Sequence, residues 1–316
     1  MPQPSDYVVP DQTGRVAVIT GANSGIGFHA TRRLAQAGAH VVLACRNPAR
    51  AADAVARLAK DAPDAEVEVV ELDLSSLDSV RAAAQAVRDR HLKIDLLVNN
   101  AGVMAIPRSE TADGFEMQFG TNHLGHFALT GLLLDLVRAA PGSRIVTVSS
   151  GAHKSGKIAF DDLQGEKGYR KWGAYGQSKL ANLLFAYELQ RRLTAAGAET
   201  ISVAAHPGWA ATNLQTSGRG ITGGPGLLVN NLANKLIAQS DEMGALPTLY
   251  AATSPDVEPG GYYGPGGFQE LKGLPKAVPS NSRSRDEADA ARLWTRSEEL
   301  TGVVFDLPVT AGQSSS

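Results

Sequence analysis

Cysteine, net charge and long apolar runs are what this chain of 316 residues has least of. Its one cysteine, Cys45, excludes an intramolecular disulfide and a Cys-based zinc site, and fits a reducing compartment. The formal net charge of −2 offers no electrostatic footprint for nucleic acid and no polybasic attraction to a membrane surface. No uncharged apolar run approaches the ~20 residues needed to span a bilayer. The opening "MPQPSDYVVPDQTG" lacks the basic segment followed by an apolar core that marks a signal peptide, so the expected location is cytoplasmic. His123 and His126 lie three apart without an evident third ligand and read as a packed helix face, so no metal site is expected.

Hydrophobic content of 43% and charged content of 20% describe an ordinary globule. Apolar runs alternate with helical patterns through the first two thirds. "RVAVIT" (15–20), "HVVLAC" (40–45), "EVEVVELDL" (66–74), "IDLLVNNAG" (94–102), "RIVTVSS" (144–150) and "TISVAAHPG" (200–208) read as strands. Helical patterns fill 25–38, 48–60, 76–90, two stretches within 113–139, and 174–197. Buried strands alternating with helices specify an α/β fold with a doubly wound parallel sheet, Rossmann-type, covered on both faces. There is no internal repeat and no interdomain linker. The expected organisation is a tail over 1–12, one domain over 13–305 with substrate-side elements at about 151–173 and 209–285, and a tail over 306–316. After Gly208 the pattern loosens: 215–228 is rich in Gly, Thr and Ser, "GGYYGPGG" is a candidate short strand, and 285–300 is helical.

"TGANSGIG" (20–27) joins the first strand to the first helix, with glycines at Gly21, Gly25 and Gly27. Glycines let a backbone turn sharply and approach a pyrophosphate, and the helix N-terminus offers free N–H groups and a positive dipole end. Gly21, Asn23, Ser24, Gly25, Ile26 and Gly27 are therefore candidate nucleotide contacts; the bland reading is a tight strand–helix turn. At the end of the second strand "LACRNP" carries Arg46 and no acid. A carboxylate there would bind ribose hydroxyls and repel a 2′-phosphate, whereas an Arg fork grips one. This favours NADP(H) over NAD(H), unless Arg46 is a solvated loop residue. Asp73 is placed either to reach an adenine edge or to cap a helix.

"AYGQSKLAN" (174–182) sets Tyr175 and Lys179 one helical turn apart, on a shared face. The spacing alone is weak. It gains from "VSS" (148–150) and "NNAG" (99–102) at strand ends, where open α/β sheets place ligands, and from Asn122 inside a helix.

The ordered set TGANSGIG, Asp73-Leu74, NNAG, Asn122, Ser149-Ser150, Tyr175-x-x-x-Lys179 and "HPG" (206–208) resembles the short-chain dehydrogenase/reductase family. "ACRNP", "GFEMQFGTNHLGHFALT", "VSSGAH", "LQGEKGY", "YGQSKLANLLFAYEL" and "LWTRSEELTGV" resemble its retinol dehydrogenase branch, which is similar to light-dependent protochlorophyllide reductases. The resemblance implies Tyr175 as general acid/base on a carbonyl or hydroxyl oxygen. It implies Lys179 as the group that, with the nearby nicotinamide charge, lowers the phenol's pKa and that bonds the nicotinamide ribose, Ser150 as the substrate-oxygen holder, and Asn122 in a proton relay through water. Leu74, Asn99, Ala101 and Gly102 would line the cofactor groove, and Pro207, Gly208 and Thr212 would meet its nicotinamide end.

The expected activity is NADP(H)-preferring interconversion of a carbonyl and an alcohol on a fairly apolar small molecule. Two alternatives stay open: reduction of a C=C bond by the same pair, and a catalytically silent nucleotide-binding sensor. Ser150 and Tyr175 stand 25 apart, and the long insert between them is expected to fold over the site rim. The branch often carries an N-terminal membrane anchor, for which this chain shows no segment. Family members often pair through the helix carrying Tyr175, so a homo-oligomer is possible, although its outer face with Glu188, Arg191 and Arg192 is not apolar. Trp172, Trp209, Phe268 and Tyr262-Tyr263 can line a pocket or pack in a core or lid. The basic stretch with Lys154, Lys157, Arg170 and Lys171 reads as a solvated rim.

Overall fold

A computed structural model describes residues 7–208 and 240–307. Six strands, β1 (Val16–Thr20), β2 (His40–Cys45), β3 (Val67–Glu71), β4 (Leu96–Asn99), β5 (Arg144–Val148) and β6 (Ile201–Ala205), run parallel, followed by β7 (Tyr262–Pro265) and β8 (Pro275–Ala277). The order across the sheet is β3-β2-β1-β4-β5-β6-β7-β8, with only the β7–β8 pair antiparallel. The order reverses beside β1, which opens a crevice at the carboxyl ends of β1 and β4.

Each central strand is apolar on both faces. In β1 and β2, Ala17, Ile19, Val41 and Leu43 face one core, while Val18 and Val42 face the other. The first core packs under helices α1 (Gly25–Gln36) and α2 (Pro48–Asp61). The second packs under α3 (Leu77–Arg88), α4 (Gly125–Arg138) and α5 (Lys171–Ala195). Caps set the starts: the Asn47 side chain accepts from Arg50 N with Pro48 at the first turn, and Ser76 accepts from Ser79 N.

β3, β5 and β6 end at Glu71, Val148 and Ala205 rather than 74, 150 and 208, and four further elements differ from the sequence expectation. β4 ends at Asn99 rather than 102, because the Asn100 and Ala101 N–H groups turn out of the sheet to the Thr20 hydroxyl, both at 2.9 Å. The stretch before α4 is a short α segment, Met117–Phe119, followed by a π-helical turn, Gly120–Leu124. Helix α6 (Asp241–Thr253) lay unread in the loosened region. It is buried on nearly every side between α1 and the sheet and contains Pro247, so it shows no amphipathic period. β8 is too short and too exposed to signal itself.

The C-terminal helix α7 (Glu287–Thr301) closes over α4 and α5. Trp294 meets Phe127 at 5.2 Å, Phe185 at 5.8 Å and Phe305 at 4.5 Å, in a buried aromatic cluster. Arg191 and Arg192 both pair with Glu188, and the Arg192 guanidinium lies 4.3 Å over Trp294. The polar outer face of α5 is thus tied to the chain's own last helix. At the other end Tyr7, in the stretch read as a tail, packs on Tyr250 and bonds Thr253 Oγ1 at 3.0 Å.

Candidate active site

The nucleotide loop is shaped by contacts that admit no side chain. Gly21 (φ 66°) and Gly25 (φ 55°) take the left-handed conformation, and a side chain at Gly27 would overlap the Gly21 carbonyl and the Asn100 amide. Ser24 occupies the N-cap of α1 in extended conformation without a side-chain cap bond, and it is exposed. The first N–H groups of α1 therefore open onto the crevice. Asn23 is half-buried, and Ile26 is buried in the first core and anchors the loop.

Cys45 supports this loop from below: its sulfur accepts from the Ala22 and Asn23 backbone, and burial pushes the thiol up to about 11. Sequence reading used Cys45 only to exclude chemistry. Arg46 follows it, exposed and without an ion pair among the described residues. Asp73 Oδ1 accepts from both the N–H and the hydroxyl of Ser75, so it organises its own turn while Ser76 caps α3. Leu74 is buried against Gly125, where a side chain would meet the Leu74 carbonyl at 2.5 Å. The Asn99 side chain turns into the core and donates to Thr130 Oγ1 at 2.9 Å, so only its backbone faces the groove. Asn100, not singled out from the sequence, donates to the Thr20 carbonyl at 2.8 Å and stands against Gly21 and Gly27.

The proton-handling candidates converge at the carboxyl ends of β4 and β5. Ser150 N-caps a 3₁₀ turn (Gly151–Ser155), and its hydroxyl hydrogen-bonds the Tyr175 phenol. Its neighbour Ser149 points inward and donates to the Lys179 carbonyl at 2.7 Å, pinning the helix that carries Tyr175. Lys179 Nζ donates to the Val148 carbonyl at 3.1 Å and lies 5.8 Å from the Tyr175 ring centre. Gly102 joins the groups: a Cβ there would stand 3.0 Å from Asn122 Oδ1 and 3.5 Å from Lys179 Nζ.

The π-helical turn explains the asparagine inside a helix. Asn122 Oδ1 accepts from Val103 N at 2.8 Å, and its amide donates to the Val103 carbonyl and to Ser178 Oγ, both at 2.9 Å. Both amide hydrogens are committed, so a water relay can use only the oxygens of Asn122. Its backbone carbonyl meets His126 Nδ1 at 3.0 Å, and His126 Nε2 meets the Thr20 hydroxyl at 2.9 Å. Because the Asn122 carbonyl can only accept, the His126 proton sits on Nδ1, which leaves Nε2 to accept from the Thr20 hydroxyl. His123 faces away, bonded to Ser297 Oγ of α7 at 2.9 Å, so the two rings serve as core supports on opposite sides.

Burial governs the two titrating groups of the protein alone: it pushes Tyr175 up to about 12, and the Ser150 hydrogen bond offsets only part of that. The same burial pushes Lys179 down to about 8. The cause in both is desolvation, which disfavours the charged form of each group, and the ammonium is directed at the Val148 carbonyl.

The insert between Ser150 and Tyr175 is clamped onto the 106–118 loop. Tyr169 bonds the Ile106 carbonyl at 2.9 Å, Gln164 accepts from Glu116 N at 2.6 Å, and Gln118 donates to Tyr169 at 2.8 Å. Trp172, half-exposed, meets Tyr175 edge-on at 6.1 Å. Tyr262 and Tyr263 are core, and Phe268 is exposed. Pro207 and Gly208 form the turn after β6, where Gly208 (φ 68°) abuts the Leu271 carbonyl. Thr212, Trp209 and the 215–228 segment lie outside the described residues.

A profile of the short chain dehydrogenase family matches residues 15–219. Retinol dehydrogenase 14 from Mus musculus is 44% identical over 306 residues, covering 92% of this chain and 87% of the relative. Polyprenol dehydrogenase from Homo sapiens is 36% identical over 302 residues, covering 94% and 88%. Among solved structures, an uncharacterised protein from Mycobacterium Paratuberculosis superposes with a TM-score of 0.78 at 43% identity, covering 95% of this chain and 97% of that one. A Pseudomonas aeruginosa RhlG/NADP complex superposes with a TM-score of 0.64 at 25% identity, covering 81% and 96%. With its fold, its glycine loop and these relatives in agreement, the chain belongs to the short-chain dehydrogenase/reductase family, in its retinol dehydrogenase-like branch, as an oxidoreductase of CH–OH and C=O groups that uses a nicotinamide dinucleotide.

Proposed function

We propose that this enzyme prefers NADP(H) and interconverts a carbonyl and an alcohol on a mid-sized apolar molecule, with Tyr175 exchanging the proton. The observation that carries this reading is the convergence of Ser150, Tyr175, Lys179 and Asn122 beside the glycine loop. The residues fit the cofactor: Gly21, Gly25 and Gly27 leave backbone where side chains would collide, the α1 N-terminus is uncapped, and Arg46 is free for a 2′-phosphate. When bound, the nicotinamide supplies or accepts the hydride.

The chain's own groups handle the oxygen. Ser150 and Tyr175 hydroxyls hold the substrate oxygen between them, and Tyr175 gives a proton to an alkoxide or takes one from an alcohol. A phenol at about 12 is a poor base near neutrality, so turnover relies on positive charge reaching it. Lys179, buried one turn away, is placed to supply that charge once its Nζ leaves the Val148 carbonyl. Asn122 holds the Gly102–Val103 backbone in place and offers acceptor oxygens to a water relay.

The retinol and polyprenol dehydrogenases among the relatives favour an isoprenoid-like or otherwise apolar aldehyde, ketone or alcohol. A screen of apolar carbonyls and alcohols with NADPH, NADH and their oxidised forms, read by cofactor absorbance with product identification, tests the reading. Alcohol product formed from an aldehyde, faster with NADPH, is expected. A saturated C–C product with the carbonyl retained, or tight cofactor binding without turnover on any compound, overturns it.

A further inference from the structure

The sheet has a second cluster of ligand-type side chains at the end away from the catalytic groups. His40 opens β2, Glu68 lies near the start of β3, and His91 follows α3. They are separated by 28 and 23 positions in sequence and are brought together only by the parallel β2–β3 pairing and the turn after α3. Among the described residues they form the one group of three such side chains whose donor atoms all lie within 4.8 Å of one another.

Distances set what each nitrogen faces. His40 Nδ1 stands 3.2 Å from the Glu66 carboxylate, which favours the ring proton on Nδ1. His40 Nε2 faces Glu68 Oε2 at 3.7 Å. His91 Nε2 meets the same oxygen at 2.9 Å. Two imidazole nitrogens thus converge on one carboxylate oxygen, with the rings edge-to-face and 5.0 Å apart. Arg90 holds the other oxygen, Oε1, which fixes the carboxylate and leaves Oε2 directed at the rings. Glu66 behind His40 repeats the carboxylate–imidazole pairing that orients metal-binding histidines.

We propose that His40, Glu68 and His91 form a binding site for one divalent transition metal ion of the zinc type, held by Nε2, Oε2 and Nε2 with water in the fourth position. Zinc takes nitrogen and carboxylate oxygen at about 2.0–2.2 Å in tetrahedral geometry, which sets the donors about 3.4 Å apart. Rotation of the half-exposed His40 ring closes the remaining gap. His91 takes the Nδ1–H form as its Nε2 yields its proton and binds the ion. Solvent reaches the fourth position on the His40 side, where the side chain is 28% exposed, against 8% for His91. A bound ion ties β2, β3 and the turn leading to β4 together, far from the cofactor loop, so its role is structural.

Cobalt(II) titration of the full chain, followed by visible d–d absorption and reversed by zinc, tests the site. One cobalt per chain is expected, displaced by one zinc. H40N and H91N are each expected to weaken binding by about tenfold or more, E68Q likewise, and E66Q less. The thermal midpoint with zinc is expected to rise in the wild type and not in H40N/H91N, whose far-UV circular dichroism without metal is unchanged. Should H91N fail to fold, E68Q and E66Q carry the same comparison. Cobalt binding that is equally tight in the wild type and H40N/H91N, or no tetrahedral absorption, overturns the proposal and leaves the cluster as a hydrogen-bonded brace.

Discussion

Around the ends of β1 and β2 the chain offers backbone, whereas around the ends of β4 and β5 it offers buried side chains. The first region is built from left-handed glycines, an uncapped helix start and the exposed Arg46. The second buries Tyr175, Lys179 and Asn122 almost completely, and Tyr175, Lys179 and His126 in it are all displaced from their ordinary values. Binding a dinucleotide needs donors at fixed positions, which backbone provides without strain or titration. Moving a proton needs groups whose charge can be biased, which low dielectric surroundings provide. The two regions meet at Gly102, which stands against Asn122 and Lys179 while its neighbour Ala101 stands against Gly21.

Substitutions separate the regions. The largest effect belongs to the buried side: Tyr175→Phe keeps the ring and its packing, so cofactor affinity by fluorescence titration stays within about twofold while kcat falls ~1,000-fold. A variant retaining a tenth of wild-type kcat would show that the proton comes from elsewhere. On the backbone side, Arg46→Ala removes one charge-assisted contact. NADPH affinity is expected to weaken by about 10–100-fold with NADH nearly unchanged, and equal losses for both cofactors would break the distinction between the two nucleotides.

The smallest effect is on stability. Burial pushes His126 down to about 4 and both His123 and His206 down to about 3, from an ordinary 6.5. Between pH 6.5 and those values the unfolded chain binds protons that the folded one refuses. Their contribution is therefore whole above pH 6.5 and is lost as pH falls toward 3, by up to about 1.4 kcal/mol per pH unit for each ring. Urea midpoints measured at pH 7.5, 6 and 5 should fall in that order, and a midpoint flat across the range would mean that these rings are not shielded.

The helices and strands were legible to Gly208 because the strands are short runs apolar on both faces and α2 and α3 carry a 3.6 period. Tyr175, Lys179 and the glycines were legible because their spacing is local. The pattern failed where a segment is buried all round, as in α6, and where one turn departs from regular geometry, as at Gly120–Leu124. The supporting groups were illegible for a different reason. Thr20, Cys45, Ser149 and Ser178 are ordinary residues whose partners come from other strands, helices and loops. The bond from Ala101 N to the Thr20 hydroxyl, which spans 81 positions of sequence, illustrates it.

By itself the sequence determined the fold class, the family, the phenol–ammonium pair and the absence of an acid beside Arg46, because these rest on periodicity and on residues within a few positions of each other. Tertiary structure decided which serine faces the phenol, that Asn122 uses its amide to hold Val103 and Ser178, and that His40, Glu68 and His91 meet. It also decided the direction of the Tyr175 and Lys179 shifts, since burial is a property of everything packed around a group and not of its neighbours in the chain.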